Sequence, residues 1–396
     1  MEKILFCLMM ALKIFTVYFA CVAVFTLKRR RAYPAAPPRT RFAVVIAARN
    51  EEAVIGGLIE SLLNQNYPEE LRDVCVVPNN CTDFTEAVAA ASGAKIIRCL
   101  GQVSSKGGAL QQAFRQLLPQ NYDAFVVFDA DNVVHPDFLA RMNDAFASGA
   151  RVCKARQKAS NPTESGIAGC YGLYFASFDW IFNRPRAACG LSAKLVGTGF
   201  AVHREVLERL GGWNTCTIAE DAEFAAQCAR TGYRVHWVED ALTYDEAPNS
   251  FALSLRQRRR WCSGVMQVCR REVGTMWRAA CPRPMLRWDM TMFLLSPFAQ
   301  AISALLLLGN LLLGGLAALP LFAAGLTVSW LGLMLLAVLL CLLGGYPLRG
   351  MGRTIAVFPL FMASWLPLQV ISLFKDTKKW HAVAHTGRRT AAVSRL

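Results

Sequence analysis

Hydrophobic and polar positions divide this chain into stretches with different habits. Residues 4–27 are apolar except for Lys13, residues 290–346 are almost free of charge, and residues 355–374 form one more apolar run. A bilayer core about 30 Å thick takes roughly 20 apolar helical residues per crossing. The N-terminal run therefore predicts an anchor, and residues 290–346 hold enough for two spans with a turn near Gly314, Gly315 and Pro320. Between these ends, residues 40–250 mix polar and apolar positions as a water-soluble domain does. The expected order is an anchor with a basic flank (1–31), a soluble domain (32–250), a basic interfacial stretch (251–287), membrane or interface helices (288–374) and a basic tail (375–396).

Within the soluble part, "RFAVVIAARNEEAVIGGLIESLLNQ" passes from a continuous apolar strand through a polar turn into a helix. That helix carries Ile55, Leu58, Ile59, Leu62 and Leu63 on one face. "DVCVVPNNCTDFTEAVAAAS" and "AFVVFDADNVVHPDFLARMNDAF" repeat the pattern. Short buried strands alternating with amphipathic helices predict a mostly parallel sheet covered on both faces, with ligands at the carboxyl ends of the strands. Neither a G-x-G-x-x-G after the first strand nor a G-x-x-x-x-G-K-[ST] is present, which disfavours a dinucleotide dehydrogenase and a P-loop ATPase.

Charge sets the orientation. The formal net charge is +15, and "KRRR" follows the first apolar run instead of preceding it. A secretory signal has the opposite order, so the run reads as uncleaved, and the positive-inside rule puts the soluble domain in the cytoplasm, beneath the plasma membrane. Residues 251–287 carry nine arginines against one acid, Glu272, with Trp261 and Trp277 among them. A basic, partly amphipathic stretch beside apolar helices fits anionic lipid headgroups better than nucleic acid. Arg258, Arg259, Arg270 and Arg271 are the lipid-contact candidates. The 14 cysteines show no C-x-x-C pair and read as reduced, small apolar residues.

Three turns carry candidate chemistry. In "FDADN", Asp129 and Asp131 follow a buried strand, where two carboxylates suit a hard divalent cation or, alternatively, cap the next helix. "SSKGGAL" sets Lys106 beside two glycines at a helix start, an arrangement that can cradle an anion or be an ordinary loop. In "TIAEDAEFAAQ", Glu220 and Asp221 open a helix, where acids commonly complement the dipole.

Taken in order, "VVIAARNEE", "NNCTD", "SKGGAL", "FDADN", "GTGFAVHREVLERLGGWN", "AED" and "QRRRW" resemble the membrane-embedded family 2 glycosyltransferases, over roughly residues 40–265. That group includes cellulose, hyaluronan, chitin and poly-N-acetylglucosamine synthases and ceramide glucosyltransferase. The resemblance implies an α/β, GT-A fold, an inverting mechanism, a UDP-sugar donor and Mg²⁺ or Mn²⁺. It places Ala47, Arg49, Glu51, Asp83, Lys106 and Asp129 at the donor and Asp131 on the metal. Asp221 would be the general base with Glu220 beside it. Gly197, Thr198, Gly199 and Trp261 would face the acceptor, while Gln257, Arg260 and Trp261, the Q-x-x-R-W signature, would touch donor and acceptor.

The tail "KDTKKWHAVAHTGRR" is similar to the gating segment of polymerising members and implicates Trp380, His385 and Thr386. A cytosolic tail is incompatible with three full spans after a cytosolic domain. Two spans followed by a re-entrant or interface-lying segment containing Pro359 and Pro367 resolve the parity. The expected function is extension of a polysaccharide through the protein's own membrane region. Transfer of one sugar to a lipid is the alternative, and an inactive scaffold is disfavoured by the intact motif set.

Overall fold

The computed structural model describes residues 2–28 and 32–377; most of "KRRR" and the expected gating residues Trp380, His385 and Thr386 lie outside them. An N-terminal helix, α1 (Glu2–Ala23), leads to β1 (Phe42–Ala48), α2 (Ile55–Leu63), β2 (Arg72–Pro78), α3 (Thr85–Ala91), β3 (Lys95–Ile96) and α4 (Lys106–Leu117). Then come β4 (Ala124–Asp129), β5 (Asn132–Val134), α5 (Phe138–Ala147), β6 (Val152–Ala159), α6 (Gly166–Ser177), a π-helical turn (Phe178–Asn183) and α7 (Arg184–Ala188). β7 (Phe200–His203), α8 (Arg204–Leu210), α9 (Glu220–Thr231) and β8 (Val235–Asp245) complete the soluble part. After it follow α10 (Phe251–Arg278), α11 (Pro284–Gly344), α12 (Gly352–Ala363) and α13 (Trp365–Phe374).

The strands form one sheet in the order β3-β2-β1-β4-β7-β6-β8-β5. The β3-β2-β1-β4 half is parallel, as the β–α units require. The other half is mixed: β6 and β8 pair in parallel, but β7 runs antiparallel to both β4 and β6, and β5 antiparallel to β8, which the expectation of a mostly parallel sheet did not include. β7 and β5 are only four and three residues long, too short to show their direction in the apolar pattern.

Successive side chains of β1 point to opposite faces, so both sides of the sheet are packed. Ala43 and Val45 join one apolar cluster with Phe114, Trp213 and Phe224, while Phe42, Val44 and Ile46 join another with Leu58, Phe128 and Phe138. Each such fully buried large side chain contributes about 1.5–3 kcal/mol. On α2 the predicted face is buried at Ile55, Leu58, Ile59 and Leu62, but Leu63 lies outside it, 39% exposed.

Among the described residues, three helical segments are long and apolar enough to cross a membrane: Pro284–Ala317, Leu319–Gly344 and Gly352–Phe374. Gly315, with φ 55° and ψ −148°, breaks α11 between the first two. The third is two helices meeting at Ser364; its start lies against α6 of the soluble part and its end against α10. At its start the Cys170 thiol of α6 donates to Thr354 O (3.8 Å); beyond its end Thr377 N donates to Ser263 Oγ of α10 (2.8 Å) and Arg270 pairs with Asp376 (2.9 Å). The apolar part of the N-terminal helix, Leu12–Leu27, is shorter. It docks through Tyr18, whose hydroxyl donates to Asp289 Oδ1 (2.8 Å).

Three of the four expected lipid-contact arginines have protein partners instead. Arg258 is fully buried and donates to Phe361 O and Ser364 Oγ, both at 2.8 Å, and to Ser254 Oγ at 3.1 Å. Arg270 binds Asp376, and Arg271 lies 3.3 Å from Glu223. A buried guanidinium needs such acceptors to offset its desolvation, and the Phe361 carbonyl beside the Ser364 break and two serine hydroxyls supply them. Arg258→Met should therefore destabilise the protein by about 2–4 kcal/mol, since it strands those acceptors. The check is a lowered thermal midpoint in detergent, against an unchanged midpoint for Arg256→Met at an exposed position of the same helix.

Candidate active site

The carboxyl ends of β1, β2 and β4 open into a cavity of about 770 Å³ that extends to α10. Its rim is built by turns with unusual backbone. Asn50 and Asn80, just past β1 and β2, have φ of 56° and 52°, a region asparagine tolerates better than most residues. Asn50 also ties the two loops together, accepting from Thr82 N at 2.8 Å.

At the centre sits Lys106, the first residue of α4. Ser105 caps this helix by accepting from Gly108 N (3.1 Å). Gly107 then allows a close approach to the segment leading into α9, because a Cβ there would lie 2.7 Å from Thr215 Oγ1. The Lys106 ammonium contacts Asp129 Oδ1 (2.5 Å), Glu220 Oε1 (3.4 Å) and the carbonyl of Gly197. Burial alone would lower its pKa, but Asp129 and Glu220 more than reverse that and hold it charged. Glu220 is pushed up to about 7 by burial, against the pull of Lys106, with Asp221 and Asp129 adding to the rise.

Asp221 is oriented by backbone: Gly197 N donates to its Oδ2 at 2.6 Å. A Cβ on Gly197 would lie 3.6 Å from Asp129 Oδ2, 3.7 Å from Lys106 Nζ and 3.9 Å from Asp221 Oδ2, so these groups converge on one glycine. Thr198 Oγ1 accepts from Asp129 N (3.0 Å) and donates to Asn132. Gly199 lies behind the cavity wall at φ 61°, where a side chain would strike Thr243.

Most of the expected site residues are thus brought together. Ala47, Arg49 and Glu51 line the cavity from β1 and its loop, and Asp129 and Asp131 from β4. Gly197, Thr198, Glu220 and Asp221 line it from the middle, and Gln257, Arg260 and Trp261 from α10. Asp83 is not among the lining residues. Its carboxylate accepts from Thr85 Oγ1 (2.6 Å), Thr85 N and Glu52 N. Those bonds outweigh burial and hold its pKa below the usual value.

Several residues that sequence reasoning missed also shape the site. Lys154, buried in β6, donates to Thr198 O (2.7 Å) from beneath the 197–199 loop. Glu223, fully buried, accepts from Cys216 N (2.9 Å) and Thr217 N (2.7 Å) and so holds the wall that leads into Glu220. Asp245, at the end of β8, faces the carboxylates from the other side. Burial and the charges of Asp131 and Asp129 raise its pKa well above the usual range, and its Oδ1 accepts no hydrogen bond among the described residues. Lys154 and Asp245 belong to none of the motifs read from the sequence, and Glu223, two residues after Asp221, carried no signal beyond that of another acid in the first turn of a helix.

The donor set near Asp131 is all oxygen, with the carboxylates of Asp129 and Asp245 close enough to act on one another, which fits a hard divalent cation. Among the described residues no three His, Cys, Asp or Glu side chains form a ready-made cage. That fits a cation such as Mg²⁺, which takes one or two carboxylates and completes its shell with substrate phosphates and water.

The far wall reaches the apolar helices. Trp261 stacks on Tyr174 (ring centroids 6.2 Å, interplanar 11°) and on Trp365 of α13 (6.2 Å, 24°). Tyr171, which lines the cavity, belongs to one apolar cluster with Leu340, Cys341, Phe358 and Phe361.

Comparison with known proteins agrees with this geometry. A family model described as glycosyltransferase like family 2 matches residues 37–264. The probable glycosyltransferase YdaM of Bacillus subtilis is 30% identical over 240 residues, which cover 58% of this chain and 56% of that protein. The beta-monoglucosyldiacylglycerol synthase of a Synechocystis species is 29% identical over 277 residues, 67% of this chain and 56% of that one. The chain thus spans about half the length of the curated relatives it matches. The mannosyltransferase PcManGT from Pyrobaculum calidifontis, solved in complex with GDP-Man and Mn²⁺, aligns over 93% of this chain and 99% of that one, with a TM-score of 0.66 at 20% identity. The fold is of the GT-A type, with apolar helices attached.

Close packing between α10 and the lead into α9 rests on Gly264, where a Cβ would lie 2.7 Å from Ala219 Cβ. Gly264→Ala should destabilise the protein by about 1–3 kcal/mol through overpacking. Gly274→Ala, on the same helix with nothing within 4 Å of the added carbon, should be neutral or stabilising by up to about 1 kcal/mol. Thermal midpoints of the two variants, opposite in sign, check this.

Proposed function

Because the chain belongs to glycosyltransferase like family 2, we propose that it transfers a sugar from a nucleotide-sugar donor to a hydroxyl of a membrane lipid, with inversion at the anomeric carbon. The observation that carries the reading is the shared cavity. Asp221, Lys106 and the Asp129–Asp131 pair occupy one side of it, and Tyr171 and Trp261, continuous with the apolar helices, occupy the other. The relation to a beta-monoglucosyldiacylglycerol synthase supports a lipid acceptor.

In this mechanism Asp221 accepts the proton of the acceptor hydroxyl as its oxygen bonds to the anomeric carbon. The bond from that carbon to the diphosphate oxygen breaks on the opposite face, and the nucleoside diphosphate departs. Gly197 N holds the carboxylate in the orientation needed for attack. Lys106 and Arg260 stabilise the negative charge developing on the leaving group. Glu51, Arg49 and Ala47 line the nucleoside side, and Asp83 shapes its loop. Asp131, with Asp129 beside it, would hold a divalent cation, which supplies further neutralisation of the diphosphate.

Catalysis on the cytosolic face of the plasma membrane is part of this proposal. The Gly352–Phe374 segment meets α6 of the soluble part at its start and the adjoining basic helix α10 at its end, which supports two crossings followed by an interface-lying segment and a tail on the same side. Two crossings after the soluble part, together with the N-terminal anchor, leave little protein to enclose a growing chain, and that favours a lipid acceptor. Polysaccharide extension is the second reading, favoured by the stack of Tyr174, Trp261 and Trp365, a surface suited to sugar rings.

The test is product analysis. Protein in lipid nanodiscs is incubated with radiolabelled UDP-glucose, UDP-N-acetylglucosamine or GDP-mannose, and products are partitioned into chloroform. Label in a lipid carrying one sugar is expected; a water-soluble polymer would establish the second reading, and no transfer with any donor would reject both. Asp221→Asn should lower transfer by about 10² to 10⁴ while donor affinity, measured by calorimetry, survives. Near-normal transfer would leave Asp221 as a helix cap only, since asparagine caps as well as aspartate. Asp131→Asn and excess chelator should each abolish transfer in folded protein, and full activity in chelator would remove the metal from the account.

A further inference from the structure

A cluster of cations lies outside the catalytic cavity, where the chain passes between apolar helices and the soluble part. Lys28 directly follows the apolar run Leu12–Leu27, and Arg283 directly precedes Pro284, where the first long apolar segment begins. Two distant parts of the sequence therefore deliver a cation at the junction with lipid. The fold also brings them close. Val22 of α1 and Leu286 of α11 share a small buried cluster with Leu191.

Arg234, at the start of β8, completes the group. Its Nη2 donates to Ala187 O and its Nε to Leu191 O, both at 2.9 Å, while Lys28 Nζ donates to the adjacent Ala188 O at 3.4 Å. The turn before α11 folds onto the same region: the Cys281 thiol donates to Ala229 O, and a Cβ on Gly232 would meet Pro282 at 3.0 Å.

Lys28 and Arg234 donate to carbonyls, and among the described residues no carboxylate forms an ion pair with Lys28, Arg234, Arg278 or Arg283. The resulting field is felt by His236, whose pKa burial and the charges of Arg234 and Arg283 push down to about 4. Beside the cations stand exposed apolar side chains of the α10–α11 elbow: Trp277 (46% exposed), Met285 (58%) and Trp288 (39%). Tryptophans beside arginines at a chain–lipid junction suit the headgroup layer, where rings enter the interface and cations meet phosphates.

We propose that Lys28, Arg234 and Arg283, flanked by Arg278 and the elbow tryptophans, form a docking site for the phosphate headgroup of an anionic phospholipid, distinct from the catalytic cavity. The site does not depend on which acceptor the enzyme uses. It holds the soluble part at a fixed height and tilt on the bilayer, because its cations come from the segment after α1, the residue before β8 and the α10–α11 turn together.

The experiment is native mass spectrometry of the full-length protein released from detergent micelles containing equal phosphatidylglycerol and phosphatidylcholine. Wild type should retain phosphatidylglycerol selectively. The double variant Lys28→Gln/Arg283→Gln, at two exposed positions, should reduce that selectivity by about fivefold per removed cation while its thermal midpoint in detergent is unchanged. Arg98→Gln, on the soluble face and paired with Glu86, should retain wild-type selectivity. Equal retention of both lipids by wild type, or undiminished selectivity in the double variant, would overturn the proposal. So would displacement of phosphatidylglycerol by an equal concentration of inorganic phosphate, which would identify a free-phosphate site. A polymer product in the transfer assay would leave this proposal standing, and a failed lipid-selectivity assay would leave the catalytic reading standing.

Discussion

One buried ammonium organises the site. Lys106, with a side chain only 16% exposed, is shared by Asp129, Glu220 and the carbonyl of Gly197. Without that charge, three carboxylates would face one another in a partly desolvated cleft, an arrangement that raises proton affinity and disfavours ionisation. Much of the local backbone serves this contact. Gly107 lets α4 approach Thr215, Gly197 leaves room among the acids, and Glu223 ties down the wall that delivers Glu220 and Asp221. A cluster with both signs of charge is suited to bind a diphosphate and a cation together and to keep a carboxylate base at hand.

The second organising contact couples that site to the apolar helices. Arg258 is directed into the break between α12 and α13, and three residues further along α10 Trp261 stacks against both Tyr174 and Trp365, which also stack on each other. One helix therefore presents Gln257, Arg260 and Trp261 to the cavity while its buried arginine fixes the segment that lies against it. The Trp261 side of the cavity is thereby built from the same packing that joins the soluble part to the apolar helices.

The sequence made the first half of the sheet legible because β1, β2 and β4 are continuous apolar runs, each followed by a polar turn and, in two of the three cases, an amphipathic helix. It did not reveal β5 and β7, whose three and four residues leave no readable period and whose direction is set by pairing with β4, β6 and β8. Arg258, Arg270 and Arg271 read as lipid contacts because a basic run beside a membrane normally is one, and only tertiary contacts reveal their partners. Family-like motifs located the cavity, since they cluster at strand ends. Lys154, Glu223 and Asp245 stayed hidden because each acts through a backbone or carboxylate partner from another part of the chain.

The central claim is that the charge cluster around Lys106 is a nucleotide-sugar diphosphate site. The direct measurement is calorimetric titration of UDP-glucose, UDP-N-acetylglucosamine and GDP-mannose into detergent-solubilised wild type and Lys106→Met, each with and without Mn²⁺. The account predicts that one of these donors binds wild type in the presence of the cation, and that Lys106→Met weakens this binding at least about tenfold, as expected for loss of a charge-assisted contact, while the protein remains folded. Equal donor affinity in the two proteins would contradict it.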